Sequence, residues 1–289
     1  MREGVWYNFT MKIISTGRTL FSPENYERKK KEKKRKVLAW SAGVLAVFIA
    51  LVIISRLERL QIREVAAEGA KVVPEEEIAR VVKETLSDRY LWLVPWTNAA
   101  IYPRRAVREN LMKEFPRISS VSLSLDGMKR LAVSVSERDP YALYCPELAR
   151  GELVESVDKC FFLDKSGFIF DEAPDFSGVV YFIYKKDAPI KNPKGSQFLL
   201  LENFSPLAQF VEGLSKFGFE PVTLTIKDRD VELVTRNGTL ILFNAYGDLT
   251  FLYSNLEAFL KNPAIEMDKL SELDLRIENK IFWKLFGNN

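Results

Sequence analysis

A chain of 289 residues, 47% hydrophobic and 28% charged, is long enough for one large or two small folded domains and too apolar for wholesale disorder. The net charge of +3 hides an asymmetry: residues 1–36 carry 11 Lys or Arg against 4 Asp or Glu, and the remainder 31 against 35, a basic head on a mildly acidic body that is not the footprint of a nucleic-acid-binding domain. The absence of histidine and the presence of only 2 cysteines exclude Ser-His-Asp and Cys-His catalysis, His-based metal sites and a four-thiolate zinc site.

Val37 to Ser55 reads VLAWSAGVLAVFIALVIIS, without one charge. As a helix it would be roughly 28 Å long, close to the thickness of a bilayer's hydrocarbon layer. A buried core helix would show a polar stripe, and this segment has none. A cleaved signal peptide would have a shorter apolar region and a small-x-small site after it, where Arg56, Leu57 and Glu58 stand instead. The reading is a retained transmembrane helix over 37–55. The preceding Arg28–Lys36, RKKKEKKRK, keeps residues 1–36 in the cytoplasm as a basic tail. That run could also meet anionic lipid or nucleic acid, but its topological role suffices to explain it. Trp6, Tyr7, Phe9, Ile13 and Ile14 make the tail unusually apolar.

Beyond the span, Leu60–Gly69 reads as a short strand. A helix follows Pro74 and three glutamates, with Ile78, Val81, Val82 and Leu86 on one face. A second helix fits Arg104–Phe115, with Val107, Leu111 and Phe115 on one side, ended by Phe115-Pro116. Val121, Leu123 and Leu125 alternate with serines, and Leu131, Val133 and Val135 do the same after Asp126-Gly127, which reads as a hairpin. The predicted order over 58–138 is β-α-α-β-β.

The remainder, 139–289, is strand-rich. Phe161–Leu163 and Phe168–Phe170 read as a hairpin about Asp164–Gly167, and Val179–Ile183 as a strand. Ser205-Pro206 reads as a cap and first helical residue, with Leu207, Phe210, Val211, Leu214 and Phe217 on one face and Gly218 closing the helix. Val222–Lys227, Val231–Thr235 and Thr239–Phe243 are three more strands, the last two joined at Asn237-Gly238. A second helix fits Asp248–Leu260, with Asp248 as its cap. No internal repeat is visible, which disfavours an array of domains.

Cys145 and Cys160 lie where one candidate strand ends and the next begins. Either they bridge, closing a loop of about 16 residues worth about 3 kcal/mol in the chain-entropy model, or they stand as two unpaired structural thiols. The bridge is the expected state, because an extracytoplasmic location permits it and a loop with Pro146, Gly151 and several charges has few other means of order.

Walker, GxSxG and GxGxxG motifs are absent. The acids Asp164, Asp171, Glu172 and Asp175 are the nearest thing to a paired-carboxylate site, but acids beside turns are more often turn formers. No catalytic, cofactor-binding or metal-binding residue is assigned, and no enzymatic activity is expected.

Several segments together resemble the FtsQ/DivIB family of bacterial division proteins: IREVAAEG, the helix after VVPEEEI, FPRISSVSLSL, RLAVSVSERDPYAL, and the terminal Leu273-Asp274-Leu275-Arg276 followed by Lys280-Ile281. The resemblance runs from the basic tail to about Trp283; the cysteines are not part of it. It implies an α+β fold, a single span followed by a POTRA domain over 58–138 and then an FtsQ-type β domain over 139–289 with two helices. It implies a non-catalytic scaffold at the septum of the plasma or inner membrane. The partners would be FtsB/DivIC-like and FtsL-like bitopic coiled-coil proteins, with other divisome components on the POTRA domain and tail.

The expected docking element is a C-terminal edge strand over Arg276–Lys284, with Arg276, Ile277, Ile281, Phe282, Trp283 and Lys284 at the interface. An edge strand offers unpaired N–H and C=O groups, and this one has no proline to block a partner. Its apolar side chains could instead pack on the domain's own core. Within this region Asp274 and Arg276 are expected to fix local geometry more than to touch the partner. Two other classes remain: a POTRA-containing assembly or transport module, disfavoured because the chain has no room for a membrane barrel, and an anchored cell-wall enzyme.

Overall fold

A computed structural model describes residues 23–90, 93–146 and 159–287 as a mixed α+β chain led by one long helix. Trp6, Tyr7, Phe9, Ile13, Ile14 and Gly151 lie outside the described residues. Helix α1 (Pro23–Ser55) carries both the basic run and the apolar run without a break. Its Tyr26–Ser55 portion is long and apolar enough to cross a membrane by length and composition.

The first folded body contains β1 (Glu64–Glu68), α2 (Glu75–Leu86), the short β2 (Arg89–Tyr90) and β3 (Val94–Pro95), α3 (Arg104–Glu114), β4 (Ile118–Asp126) and β5 (Arg130–Glu137). The sheet order is β1-β5-β4, with β1 parallel to β5 and β4 antiparallel to it. Both helices put their apolar stripes on one face of this sheet, so Ile78, Val82, Val107, Leu111, Leu131 and Val133 are fully buried. Ser120, Ser122 and Ser124 line the wet face of β4, as period-two alternation requires. The expected strand over Leu60–Gly69 is shorter: Glu58–Leu60 form a 3-10 turn and pairing begins at Glu64. The small β2–β3 hairpin has no counterpart in the sequence reading, because two-residue strands leave no periodicity.

The second body is built on one ten-stranded sheet with β6 (Ala142–Tyr144), β7 (Phe161–Leu163), β8 (Phe168–Glu172), β9 (Ile183–Lys186), β10 (Ser196–Gln197), β11 (Pro221–Lys227), β12 (Asp230–Thr235), β13 (Leu240–Asn244), β14 (Leu270–Asp274) and β15 (Phe282–Leu285). The order across it is β10-β8-β7-β6-β9-β11-β12-β13-β14-β15. Helices α4 (Leu201–Gly213) and α5 (Leu249–Leu260) supply apolar side chains to the main core, where Tyr144, Tyr184, Phe204, Leu224, Leu233, Phe243 and Leu273 are fully buried. A smaller cluster of Leu143, Phe162, Phe170 and Ala173 packs with Phe176, Tyr181 and the cysteines. A disulfide joins Cys145 to Cys160 across the β6–β7 pair.

Two expectations fail here for non-local reasons. The strand expected over Val179–Ile183 starts at Ile183: Val179 and Val180 are exposed, and pairing begins only where β6 and β11 flank the chain. Helix α4 starts at Leu201, not at Ser205-Pro206, so Pro206 lies inside it. The extra turn brings Phe204 into the core over Gly167. Gly167 takes a φ of +79°, and a Cβ there would stand 2.7 Å from the Phe204 ring, so only glycine serves. Burial of that ring outweighs the one hydrogen bond the proline removes.

Of two shorter-range readings, the cap is found as predicted and the turn is altered. Asp248 caps α5 by accepting from the Phe251 N–H at 2.9 Å. Between β12 and β13 only Gly238 is left-handed, at φ +88°, giving a three-residue loop rather than a two-residue Asn-Gly turn.

Candidate functional site

The ten-stranded sheet has two unlike edges. At one, β10 pairs over two residues with β8, beside the junction with the first body. Arg117, just before β4, and Arg138, just after β5, reach across to this side. Arg117 Nε donates to Asp171 Oδ2 at 2.8 Å, and Arg138 Nη1 to Asp164 Oδ2 at 2.6 Å. Lys194 Nζ adds a second bond to Asp171 at 2.9 Å. The guanidinium of Arg138 stands 4.2 Å from the Phe168 ring centroid, and that of Arg117 5.3 Å from Phe170.

Burial opposes ionisation of Asp164, yet bonds from Ser166, the Phe168 N–H and Arg138 hold its carboxyl below the ordinary aspartate range. Asp171 is likewise disfavoured by burial and nevertheless lowered by Arg117 and Lys194. Glu172 pairs with Lys159 at 2.5 Å, and Asp175 is exposed. The acids singled out in the sequence are therefore engaged in ion pairs or open to water, not gathered in a cleft. Ser156-Val157-Asp158-Lys159 has the serine–lysine spacing of an acyl-transfer motif. Ser156 lies outside the described residues, and Lys159 is the residue paired with Glu172. Among the described residues no group of three or more His, Cys, Asp or Glu is placed to hold a metal.

At the opposite edge, β14 carries the Leu273-Asp274-Leu275-Arg276 motif. Leu273 and Leu275 are buried on one face of the strand, whereas Asp274, on the other, is half-buried. Its Oδ1 accepts from the Arg276 N–H at 3.1 Å and from Arg276 Nε at 2.9 Å, while Arg276 Nη1 reaches Asp230 at 2.9 Å. The bond from Arg276 is the main reason the Asp274 carboxyl is held below its ordinary range. The continuous strand expected over Arg276–Lys284 is not formed. The chain must reverse to run antiparallel to β14, so Lys280 N–H bonds Ile277 O, Asn279 takes a φ of +60°, and pairing resumes at Phe282. This reversal and the start of α5 enclose a cleft of ≈ 150 Å³ that includes Phe251, Leu275 and Ile281.

Strand β15 pairs with β14 on one side only; among the described residues no strand covers its outer side. Ile281 and Leu285 pack against the main core, and Trp283 lies 6.5 Å from Phe259, ring centroid to ring centroid. On the opposite face Lys284 bonds Glu272 at 2.8 Å, and Phe282 and Phe286 are each half exposed. Ile277 is half exposed on the reversal. The six expected interface residues thus divide. Arg276, Ile281 and Lys284 have partners within the fold, whereas Ile277, Phe282 and much of Trp283 face water. Phe286 was missed in the sequence, although its spacing of two from Lys284 and four from Phe282 places it on that same face.

No family model matches the chain, and a search of curated proteins finds no match either.

Proposed function

We propose that the chain is a non-catalytic, membrane-anchored scaffold that recruits a partner strand to β15. The supporting observation is a sheet edge that no other strand covers among the described residues, with half-exposed aromatic side chains, Phe282 and Phe286, in a segment without proline. A partner segment added there would satisfy β15's outward N–H and C=O groups, and the aromatic rings would give it anchors. Among the described residues of this sheet the other apolar strands have neighbours on both sides, so within it β15 is the apolar strand open to addition.

Within this proposal the first body is a POTRA domain, the second an FtsQ-type β domain, and the chain belongs with FtsQ/DivIB at the division septum. The β-α-α-β-β order, the single preceding helix and the Leu273–Arg276 motif support that reading. Residues 1–36 would then be cytoplasmic, the two bodies would lie outside, and the partners would be FtsB/DivIC-like and FtsL-like bitopic coiled-coil proteins.

The test is a titration of the full chain, in nanodiscs, with the extracytoplasmic segment of its own organism's FtsB-like protein, beside Phe282→Ser and Trp283→Ala variants. Saturable binding weakened at least about tenfold by either variant is expected of hot-spot aromatics. Absence of binding by the folded wild-type chain would remove the division role.

A further inference from the structure

We propose that the exit of α1 and the side chains of Leu57, Tyr90, Leu93 and Ile101 beside it form a foot resting on the outer bilayer interface, which fixes how the folded bodies stand over the membrane. The proposal depends on α1 spanning the bilayer, and the experiment below separates the two.

The helix does not hand over to a free linker. Its last residue, Ser55, is buried, and its carbonyl accepts from Asn98 Nδ2 at 2.8 Å, with Asn98 only 3% exposed. A helix end leaves carbonyls without partners, and here the folded body supplies one. Arg56, the next residue, donates from both Nε and Nη2 to the Leu93 carbonyl at 3.1 Å, and Gln61 Nε2 bonds back to the Arg56 carbonyl at 3.1 Å. Ile62 N–H to Thr97 O at 2.7 Å and Ala99 N–H to Leu60 O at 2.8 Å continue the latch into the first body. The chain leaving the span is therefore hydrogen-bonded on both sides from its first residues.

The latch sits at a definite depth. The uncharged run ends at Ser55, so a span over 37–55 places Ser55 at the outer hydrocarbon boundary. Everything bonded to Ser55 and Arg56 is held at that same level. Around it four apolar or aromatic side chains, Leu57, Tyr90, Leu93 and Ile101, remain 40–50% exposed. They are braced: the Tyr90 hydroxyl donates to the Ile101 carbonyl at 3.3 Å, and the Tyr90 ring lies 5.4 Å from that of Trp96, centroid to centroid. Tyrosine with aliphatic neighbours is the composition of the membrane–water interface. Arg56 and Arg89, both exposed beside them, supply the charge that lipid phosphates attract. Continuity with α1 names the occupant: the surface nearest these side chains is the bilayer from which the helix emerges.

The test uses the full chain with its disulfide intact, in nanodiscs of zwitterionic and anionic phospholipid, carrying one spin label at a time on Leu93→Cys, Ile101→Cys, Val47→Cys or Ser122→Cys. Collision with oxygen against collision with a water-soluble nickel chelate reports depth. The proposal expects a ratio several-fold higher at 93 and 101 than at 122, with 47 deeper still, and a fall at 93 when Asn98→Ala opens the latch. Labels at 93 and 101 that match 122 while 47 reads as hydrocarbon would overturn the foot and leave the span. Labels shielded from both reagents would put protein rather than lipid on this surface and overturn it equally. A label at 47 that reads as water would remove the span and the foot together.

Discussion

The two edges of the large sheet solve the same problem in opposite ways. An edge strand is a template for further pairing, and folded proteins shorten it, charge it or cover it. At the β10 edge the chain does all three: two residues of strand, a lysine–aspartate–arginine group beside it, and a second folded body at close range. At the β15 edge it does none of them fully. Four residues pair, aromatic side chains stand half exposed, and the one lysine on that face is held by Glu272. The difference teaches that exposure at β15 is not carelessness of the fold, since the same sheet contains the means of avoiding it. One edge is closed by the chain itself; under the proposed function the other takes a partner strand.

Breaking the closed edge should cost stability and leave the open edge intact. Removing the disulfide with Cys145→Ser and Cys160→Ser should lower unfolding free energy by about 3 kcal/mol, the entropy of the freed loop; urea unfolding of residues 58–289 measures it. Arg138→Ala should cost about 2–3 kcal/mol, because it strands the mostly buried Asp164 and removes the bond to the Pro116 carbonyl. Gly167→Ala should cost about 2 kcal/mol, from a positive φ and from the Phe204 ring that fills the space. A loss under about 0.5 kcal/mol for either variant, the scale of a surface change, would contradict the junction described here.

Acid gives a milder probe of the same side. Asp164 and Asp171 ionise below their ordinary range when folded, so their contribution is complete above about pH 4 and is lost as pH falls through the lowered folded values. The double variant Arg117→Ala, Arg138→Ala should show a flatter acid limb in urea midpoint against pH than the wild type. Smallest of all should be the effect of Phe282→Ser on folding, within about 0.5 kcal/mol by the same urea measurement, since half of that ring already faces water.

The sequence was most legible where structure is local. The stripe Ile78, Val81, Val82 and Leu86, the serine alternation of β4 and the Asp248 cap are each set by neighbours within a few residues, and each is found where its pattern points. Ser205-Pro206 misled because a sound local start signal was outweighed by burial of Phe204 beneath Gly167, 37 residues earlier in the chain. Val179 and Val180 misled because apolar composition does not say which residues find partners on both sides. At the candidate site, Leu273–Arg276 could be read as a geometric motif, but a strand apolar on both faces does not declare which face is wet. The pairing of Arg117 and Arg138 with Asp171 and Asp164 joins residues 54 and 26 positions apart and leaves no periodic trace.

Backbone hydrogen–deuterium exchange on the full chain, with and without the FtsB-like segment, tests the central claim most directly. Strand addition predicts new protection at alternate amides within Phe282–Leu285, with β10 unchanged. Bound partner with β15 amides exchanging as before, and protection appearing instead at the junction or on the first body, would contradict it.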